Sequence, residues 1–313
     1  MARDSRPDRR LPRKTKKTGS KTGSKNSSKN SSNSSRPKRI DLSGRSNRSN
    51  RSDRGGTRPP YKEHGLGGEQ IEGRQAVREL LLGARRRVRE IWIANDIESN
   101  PVIDDILELA RDQRVQVMNV SRRELEREAR SEAPQGILAK ADPLEETLLA
   151  DLLAAPRDKP LLLIAIDGVT DPGNLGAILR CCDGAGVNAV ILPRHRAVHI
   201  TPTVAKASAG AIEYLEMCVV GGLPSALAEM KSSGVSIVGL DDAGEKSIFE
   251  MGSFARESIC LVLGAEGPGL SRLVRERCDS LVNIPMLGSL SSLNVSVAAA
   301  LASYEIVRAR RAP

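Results

Sequence analysis

Leu161-Leu162-Leu163-Ile164-Ala165-Ile166-Asp167-Gly168-Val169-Thr170-Asp171-Pro172-Gly173-Asn174-Leu175-Gly176-Ala177-Ile178-Leu179-Arg180 decides the fold. The run Leu161 to Ile166 has no polar break, as expected of a parallel strand buried on both faces. Asp171-Pro172-Gly173 is turn chemistry. Apolar residues at helical spacing then predict a helix from Leu175 to Ala185. Asn174 reads as a cap for that helix. Arg180 sits among Ile178, Leu179, Cys181 and Cys182, where a guanidinium needs an anion, either a protein carboxylate or a bound phosphate.

The same alternation continues downstream. Strands are predicted at Ala189–Leu192, Leu215–Val220, Val235–Leu240, Cys260–Leu263 and Leu281–Ile284, with helices over Pro202–Ala209 and Leu293–Arg310. Strands alternating with helices imply an open parallel sheet whose ligands sit beyond the carboxyl ends of the strands. Upstream lies a smaller α/β unit. Its helices are expected at Gly73–Leu82, closed by Gly83, at Pro101–Asp112, and after Ser121. Its strands are expected at Arg89–Ala94, Val115–Val120 and Gly136–Ala139. A helical segment from Leu144 to Ala155 joins the two units.

Charge separates the rest. Residues 1–60 hold 19 Lys+Arg against 4 Asp+Glu, whereas the remainder holds 29 against 35, so the net +9 comes from the amino-terminal arm. That arm has five apolar residues and no aromatic side chain, too little to offset chain entropy, and disorder is expected. Its Lys/Arg content suits phosphate contact through counterion release. It has no apolar core of a signal peptide, and no stretch approaches the ~18 apolar residues of a membrane helix. The odd set Cys181, Cys182, Cys218, Cys260 and Cys278 contains no Cys-x-x-Cys, and only His64, His195 and His199 accompany it. Reduced thiols and no metal site are expected, in a cytoplasmic protein. Aromatic content of 2% argues against base stacking on an aromatic sheet.

Three turns follow strands of the larger unit: Asp167 to Arg180, Leu263-Gly264-Ala265-Glu266-Gly267-Pro268-Gly269-Leu270, and Ile284-Pro285-Met286-Leu287-Gly288-Ser289-Leu290-Ser291-Ser292-Leu293-Asn294-Val295-Ser296. Neither a P-loop nor a Gly-x-Gly-x-x-Gly opening a helix is present, which disfavours nucleoside triphosphates and dinucleotides. A nucleoside without phosphates, such as S-adenosylmethionine, suits glycine loops better. Taken singly, Glu266 reads as an acid at the start of a helix opened by Leu270, and Ser292 and Asn294 as caps of the last helix.

Together these turns resemble the three signature motifs of the SpoU (TrmH) branch of the SPOUT superfamily, the RNA 2′-O-ribose methyltransferases. The matching text is DPGNLGAILR, LGAEGPGL and IPMLGSLSSLNVSVA. EGRQAVRELL and APQGILAKADP resemble the small substrate-binding domain of members acting on 23S rRNA, although Pro134 stands where the family usually has His. The resemblance implies a basic tail over 1–64, a small ribosomal-protein-like α/β RNA-binding domain over 65–143, a linker over 144–159, and a parallel-sheet SPOUT domain with a carboxyl-terminal trefoil knot over 160–313. It implies S-adenosylmethionine as co-substrate, no metal, a homodimer with the site at the interface, and RNA as partner. A guanosine of 23S rRNA is favoured over a tRNA. The rival outside enzymes is a ribosome-assembly factor without turnover.

Carried over by position, the catalytic set is Asn174, Arg180, Glu266, Ser292 and Asn294. The cofactor set is Leu240, Gly264, Ile284, Met286 and Leu293. The family assigns Arg180 the removal of the hydroxyl proton. A guanidinium with a pKa above ~12 is a poor base, so the expectation is that Arg180 grips the adjacent phosphate and stabilises charge on the ribose oxygen.

Overall fold

A computed structural model describes residues 65–195 and 199–311. The disorder and polyanion contact expected of residues 1–64 lie outside the described residues.

Two sheets organise the molecule. The first has strand order β1-β4-β2-β3, with β1 at Gln70–Glu72, β2 at Val88–Ala94, β3 at Gln116–Val120 and β4 at Ile137–Ala141. β4 runs antiparallel to β1 and β2, while β2 and β3 are parallel. Helices α1 (Arg74–Gly83), α2 (Pro101–Asp112) and α3 (Arg122–Glu128) connect these strands. Asn100 caps α2 by accepting from the N–H groups of Val102 and Ile103, and Ser121 caps α3 by accepting from Glu124. The expected end of α1 at Gly83 shifts by one residue: Gly83 is the last helical residue, and Ala84 takes the left-handed conformation.

β1 is absent from the sequence reading. Its side chains alternate Gln-Ile-Glu, yet all three are buried. The two polar ones satisfy each other, with Gln70 Nε2 donating to Glu72 at 2.7 Å.

After α4 (Leu149–Ala154) the second sheet begins, and it is entirely parallel. Its order is β7-β6-β5-β10-β8-β11-β9, with β5 at Leu162–Asp167, β6 at Ala189–Pro193, β7 at Glu216–Val220, β8 at Ser236–Leu240, β9 at Lys246–Ser247, β10 at Ile259–Gly264 and β11 at Ser280–Asn283. Leu162 to Ile166 are at most 2% exposed. Each large side chain buried to that degree contributes about 1.5–3 kcal/mol of transfer free energy. The central pair β5–β10 is flanked by α5 (Pro172–Gly184), α6 (Pro202–Ala207), α7 (Leu223–Ser232), α8 (Gly252–Arg256), α9 (Arg272–Arg275) and α10 (Val295–Arg311).

Several local expectations change. The joining helix shrinks from Leu144–Ala155 to α4, because residues before it run along β7, where Thr147 N–H donates to the Met217 carbonyl at 2.9 Å. Leu270 does not open a helix; α9 starts at Arg272. α10 starts at Val295, not Leu293. On α10, Ala298, Ala299 and Ala302 are buried within this chain, and Val297, Leu301 and Tyr304 form the outward face. Cys182 is buried, whereas its neighbour Cys181 is only partly so.

Candidate active site

The carboxyl ends of β5, β8, β10 and β11 meet at one rim of the parallel sheet, and the three turns named above leave from there. A cavity of about 510 Å³ opens at this rim. Its wall includes Leu240, Gly264, Ile284, Met286 and Leu293, the five positions expected to hold a cofactor, together with Glu266, Ser292 and Asn294.

The β10 turn is built from glycine for a steric reason. A Cβ on Gly264 would sit 2.3 Å from the Gly269 carbonyl carbon, because Ala265 and Gly269 exchange backbone hydrogen bonds across the turn. Gly267 and Gly269 have φ of 81° and 67°, which glycine adopts freely. The result is a tightly closed turn along the cavity wall that any side chain at Gly264 would force apart.

Caps assign the polar residues. Asp171, not Asn174, caps α5: its carboxylate accepts from the Asn174 N–H at 2.7 Å. The Asn174 side chain is thereby free for another partner, and it finds one in Asn294. The Asn294 amide donates to Asn174 Oδ1 at 2.9 Å and to Glu266 Oε1 at 2.8 Å. Its own Oδ1 accepts from the N–H and hydroxyl of Ser296 at 2.9 and 2.6 Å, which caps α10. One side chain therefore ties together the turns after β5, β10 and β11. The reading of Glu266 as an acid at a helix start gives way, since it faces Asn294 instead.

Arg180 lies elsewhere. It is exposed on α5, forms no hydrogen bond or ion pair among the described residues, and is not part of the cavity wall. The expectation that it sits in apolar surroundings is corrected, and among the described residues no protein carboxylate pairs with it. Ile178, Leu179 and Cys182 face the core, while Arg180 faces outward. His195 and His199 are exposed.

Three charged residues of the cavity wall, Asp241, Asp242 and Arg275, escaped the sequence reading. Asp241, immediately after β8, is buried; it accepts from Ala243 N–H at 3.0 Å and from Arg275 at 2.5 Å. The signal for Asp241 and Asp242 was positional, acids directly after an apolar parallel strand, whereas Arg275 on α9 offered none. Among the described residues no group of three or more His, Cys, Asp or Glu could hold a metal ion, and no helix is long and apolar enough to cross a membrane.

Comparison with known proteins matches residues 161–304 to the SpoU rRNA Methylase family and residues 70–147 to the family described as RNA 2′-O ribose methyltransferase substrate binding. The 23S rRNA (guanosine-2′-O-)-methyltransferase RlmB of Pseudomonas putida is 39% identical over 246 residues, covering 78% of this chain and 97% of that protein. The chain belongs to the SpoU rRNA methylase family. RlmB of Haemophilus ducreyi is 42% identical over 246 residues, covering 77% of this chain and 97% of its own. The structure of the SpoU methyltransferase AviRb from Streptomyces viridochromogenes, in complex with the cofactor AdoMet, superposes with a TM-score of 0.65 at 28% identity, covering 77% of this chain and 89% of that one. In this family member, as the geometry above shows, the seven-stranded sheet carries the cavity and the four-stranded sheet lies in the substrate-binding segment.

Proposed function

We propose that this protein transfers a methyl group from S-adenosylmethionine to a ribose 2′-hydroxyl of RNA, at a guanosine of 23S rRNA. The observation that carries the reading is the glycine-cradled cavity at the rim of the parallel sheet, closed by the Asn174–Asn294–Glu266 bridge. Its volume of about 510 Å³ is within the usual range for a small-ligand pocket. Bare backbone at Gly264, with apolar Leu240, Ile284, Met286 and Leu293 around it, fits an adenosine ring and its edge. Two relatives carry the name 23S rRNA (guanosine-2′-O-)-methyltransferase, and the AviRb structure holds AdoMet, which supports both substrates.

Bound in the cavity, S-adenosylmethionine supplies an electrophilic methyl group. The chain's task is to place the ribose oxygen against it and to manage the proton that oxygen gives up. Asn294 fixes the three turns and aims its Glu266 and Asn174 partners at the rim. Ser292, exposed on the cavity wall, faces the incoming ribose. Arg180 grips the phosphate next to the target and stabilises charge on the ribose oxygen. Because Arg180 is outside its own chain's cavity, it acts across a homodimer interface in which the outward face of α10 (Val297, Leu301, Tyr304) is covered. Exposed apolar patches of this kind mark association surfaces.

In this reading the tail spans residues 1–64, the RNA-binding domain 65–143, the linker 144–159 and the methylase domain 160–313, whose carboxyl-terminal part forms a trefoil knot. The enzyme works in the cytoplasm, where rRNA is made. The test is a ribose-methylation map of 23S rRNA from cells with and without the protein, paired with calorimetry of S-adenosylmethionine. One guanosine is expected to lose its mark in the deletion strain. Identical maps, or a protein that binds no donor, would remove the proposal.

A further inference from the structure

The segment before β1 and the loop after α1 meet the methylase half through a buried ion pair. Arg86 reaches Glu213 with two prongs: Nε donates to Oε2 at 3.0 Å and Nη2 to Oε1 at 2.6 Å. The side chains are 5% and 1% exposed. The remaining guanidinium nitrogen, Nη1, donates to the carbonyls of Gly68 and Asp142 at 2.5 and 2.6 Å. Leu144, Ile212, Leu215 and Met217 surround the pair.

An apolar plug would bury as well and cost less desolvation. It would also tolerate sliding. A planar fork that must meet one carboxylate and two backbone carbonyls at once admits one orientation of its two sides. The rim repeats the message: Ile200 exchanges backbone hydrogen bonds with Leu66 and Gly68 at 2.9 Å, Tyr214 donates to Glu79 at 2.6 Å, Arg85 to Glu216 at 2.6 Å, and Lys206 to the Ala133 carbonyl at 3.1 Å.

Glu213 closes the 3-10 turn Ala211–Glu213. That turn packs on α5, the helix whose first turn presents Asn174 to Asn294. The latch thus joins the substrate-binding half to the helix that carries part of the active rim.

We propose that Arg86 and Glu213 are positioning residues that set the spacing between the RNA surface of the small domain and the cavity, and so decide which nucleotide is methylated. They leave donor binding untouched. This rests on the function proposed above.

The test uses the full chain with Glu213→Gln, which keeps the shape and removes the charge. A second variant, Arg85→Ala/Tyr214→Phe, strips the rim contacts without stranding a buried ion. Three quantities are read: hydrogen exchange at residues 66–68 and 200, calorimetric affinity for S-adenosylmethionine, and the methylation map on 23S rRNA taken from cells lacking the enzyme. Expected are faster exchange, donor affinity within about twofold, a loss of about tenfold or more at the wild-type position, and new marks at neighbouring riboses. A single unchanged mark despite faster exchange overturns the proposal. So does unchanged exchange in Glu213→Gln, whatever the rim variant shows, because then the pair does not hold the domains. If Glu213→Gln fails to fold, Arg86→Lys, which keeps the charge but loses the two-pronged fork, is read in its place against the same outcomes. A wild-type enzyme that marks no ribose sinks the underlying function and is thereby told apart from failure of the latch.

Discussion

The central strands of the seven-stranded sheet and the edge strand β1 of the four-stranded sheet treat polar side chains in opposite ways. β5 and β10 are apolar inside, and the turns beyond the sheet's carboxyl edge display Asn174, Glu266 and Asn294, with Asn294 bonded to both of the others. β1 buries Gln70 and Glu72, and Glu72 accepts from the N–H groups of Arg130 and Ser131; Arg86, after α1, is almost fully inside as well. Rim groups remain open to a ligand. Buried ones are committed to holding loops and neighbours in place. Substitutions in the first class should therefore damage chemistry with little change in folding, and those in the second class should act through loosened packing first.

The largest effect expected from this contrast is at Arg180. Arg180→Ala should lower methyl transfer by about 100-fold or more, as removal of a charge-stabilising donor does. Being exposed and unpaired, it should shift stability by no more than about 0.5 kcal/mol. Full turnover would take Arg180 out of the mechanism. Next comes Asn294→Ala, which unties three turns at once. Turnover should fall by about 100-fold through misplacement of the reacting groups, read as incorporation of labelled methyl into rRNA. Turnover within twofold of wild type would mean that the bridge is only a cap.

Arg310 tests the other class inside the methylase sheet. Its guanidinium donates to the carbonyls of Ala255, Pro160, Leu161 and Glu257 at 2.7 to 3.2 Å, and burial pulls it below its ordinary pKa. Arg310→Ala should cost about 2–3 kcal/mol in urea unfolding while donor affinity in the folded protein is kept. Deleting residues 1–60 should weaken RNA binding and flatten its salt dependence, since net charge of the arm is opposite to that of the remainder. An unchanged salt slope would make the arm a spacer.

The smallest effect concerns the rim of the latch. Burial, and then the Glu79 carboxylate, push the Tyr214 phenol up to about 12. An unfolded tyrosine ionises near ~10. The folded value is raised, so this contribution to stability is complete below that pH and is lost as pH climbs toward the folded value. Urea midpoints of Tyr214→Phe should lack the alkaline decline that wild type shows there; parallel curves would refute it.

How far the sequence could be read follows the same division. β5, β6, β8 and β10 announce themselves because a strand covered on both faces must be apolar throughout. β1 is hidden because Gln70 and Glu72 are buried as a satisfied pair, which no hydropathy pattern reveals. The position of Arg180 was legible but its direction was not: residue spacing places it on α5, whereas only packing decides that Ile178 and Leu179 turn inward and it turns out. Asn174 as a cap was a reasonable expectation displaced by Asp171, three residues earlier, with Pro172 already set for a first helical turn. Asp241 and Arg275 join the cavity through tertiary pairing between β8 and α9.

Asn294 also bears a chemical vulnerability. Hydrolysis of its amide to a carboxylate changes neither size nor shape, yet it would exchange two donated hydrogen bonds for a negative charge facing Glu266. A carboxylate there would meet the Glu266 carboxylate in place of a donated bond, so Asn294→Asp should part the turns at the rim while the sheet stays whole.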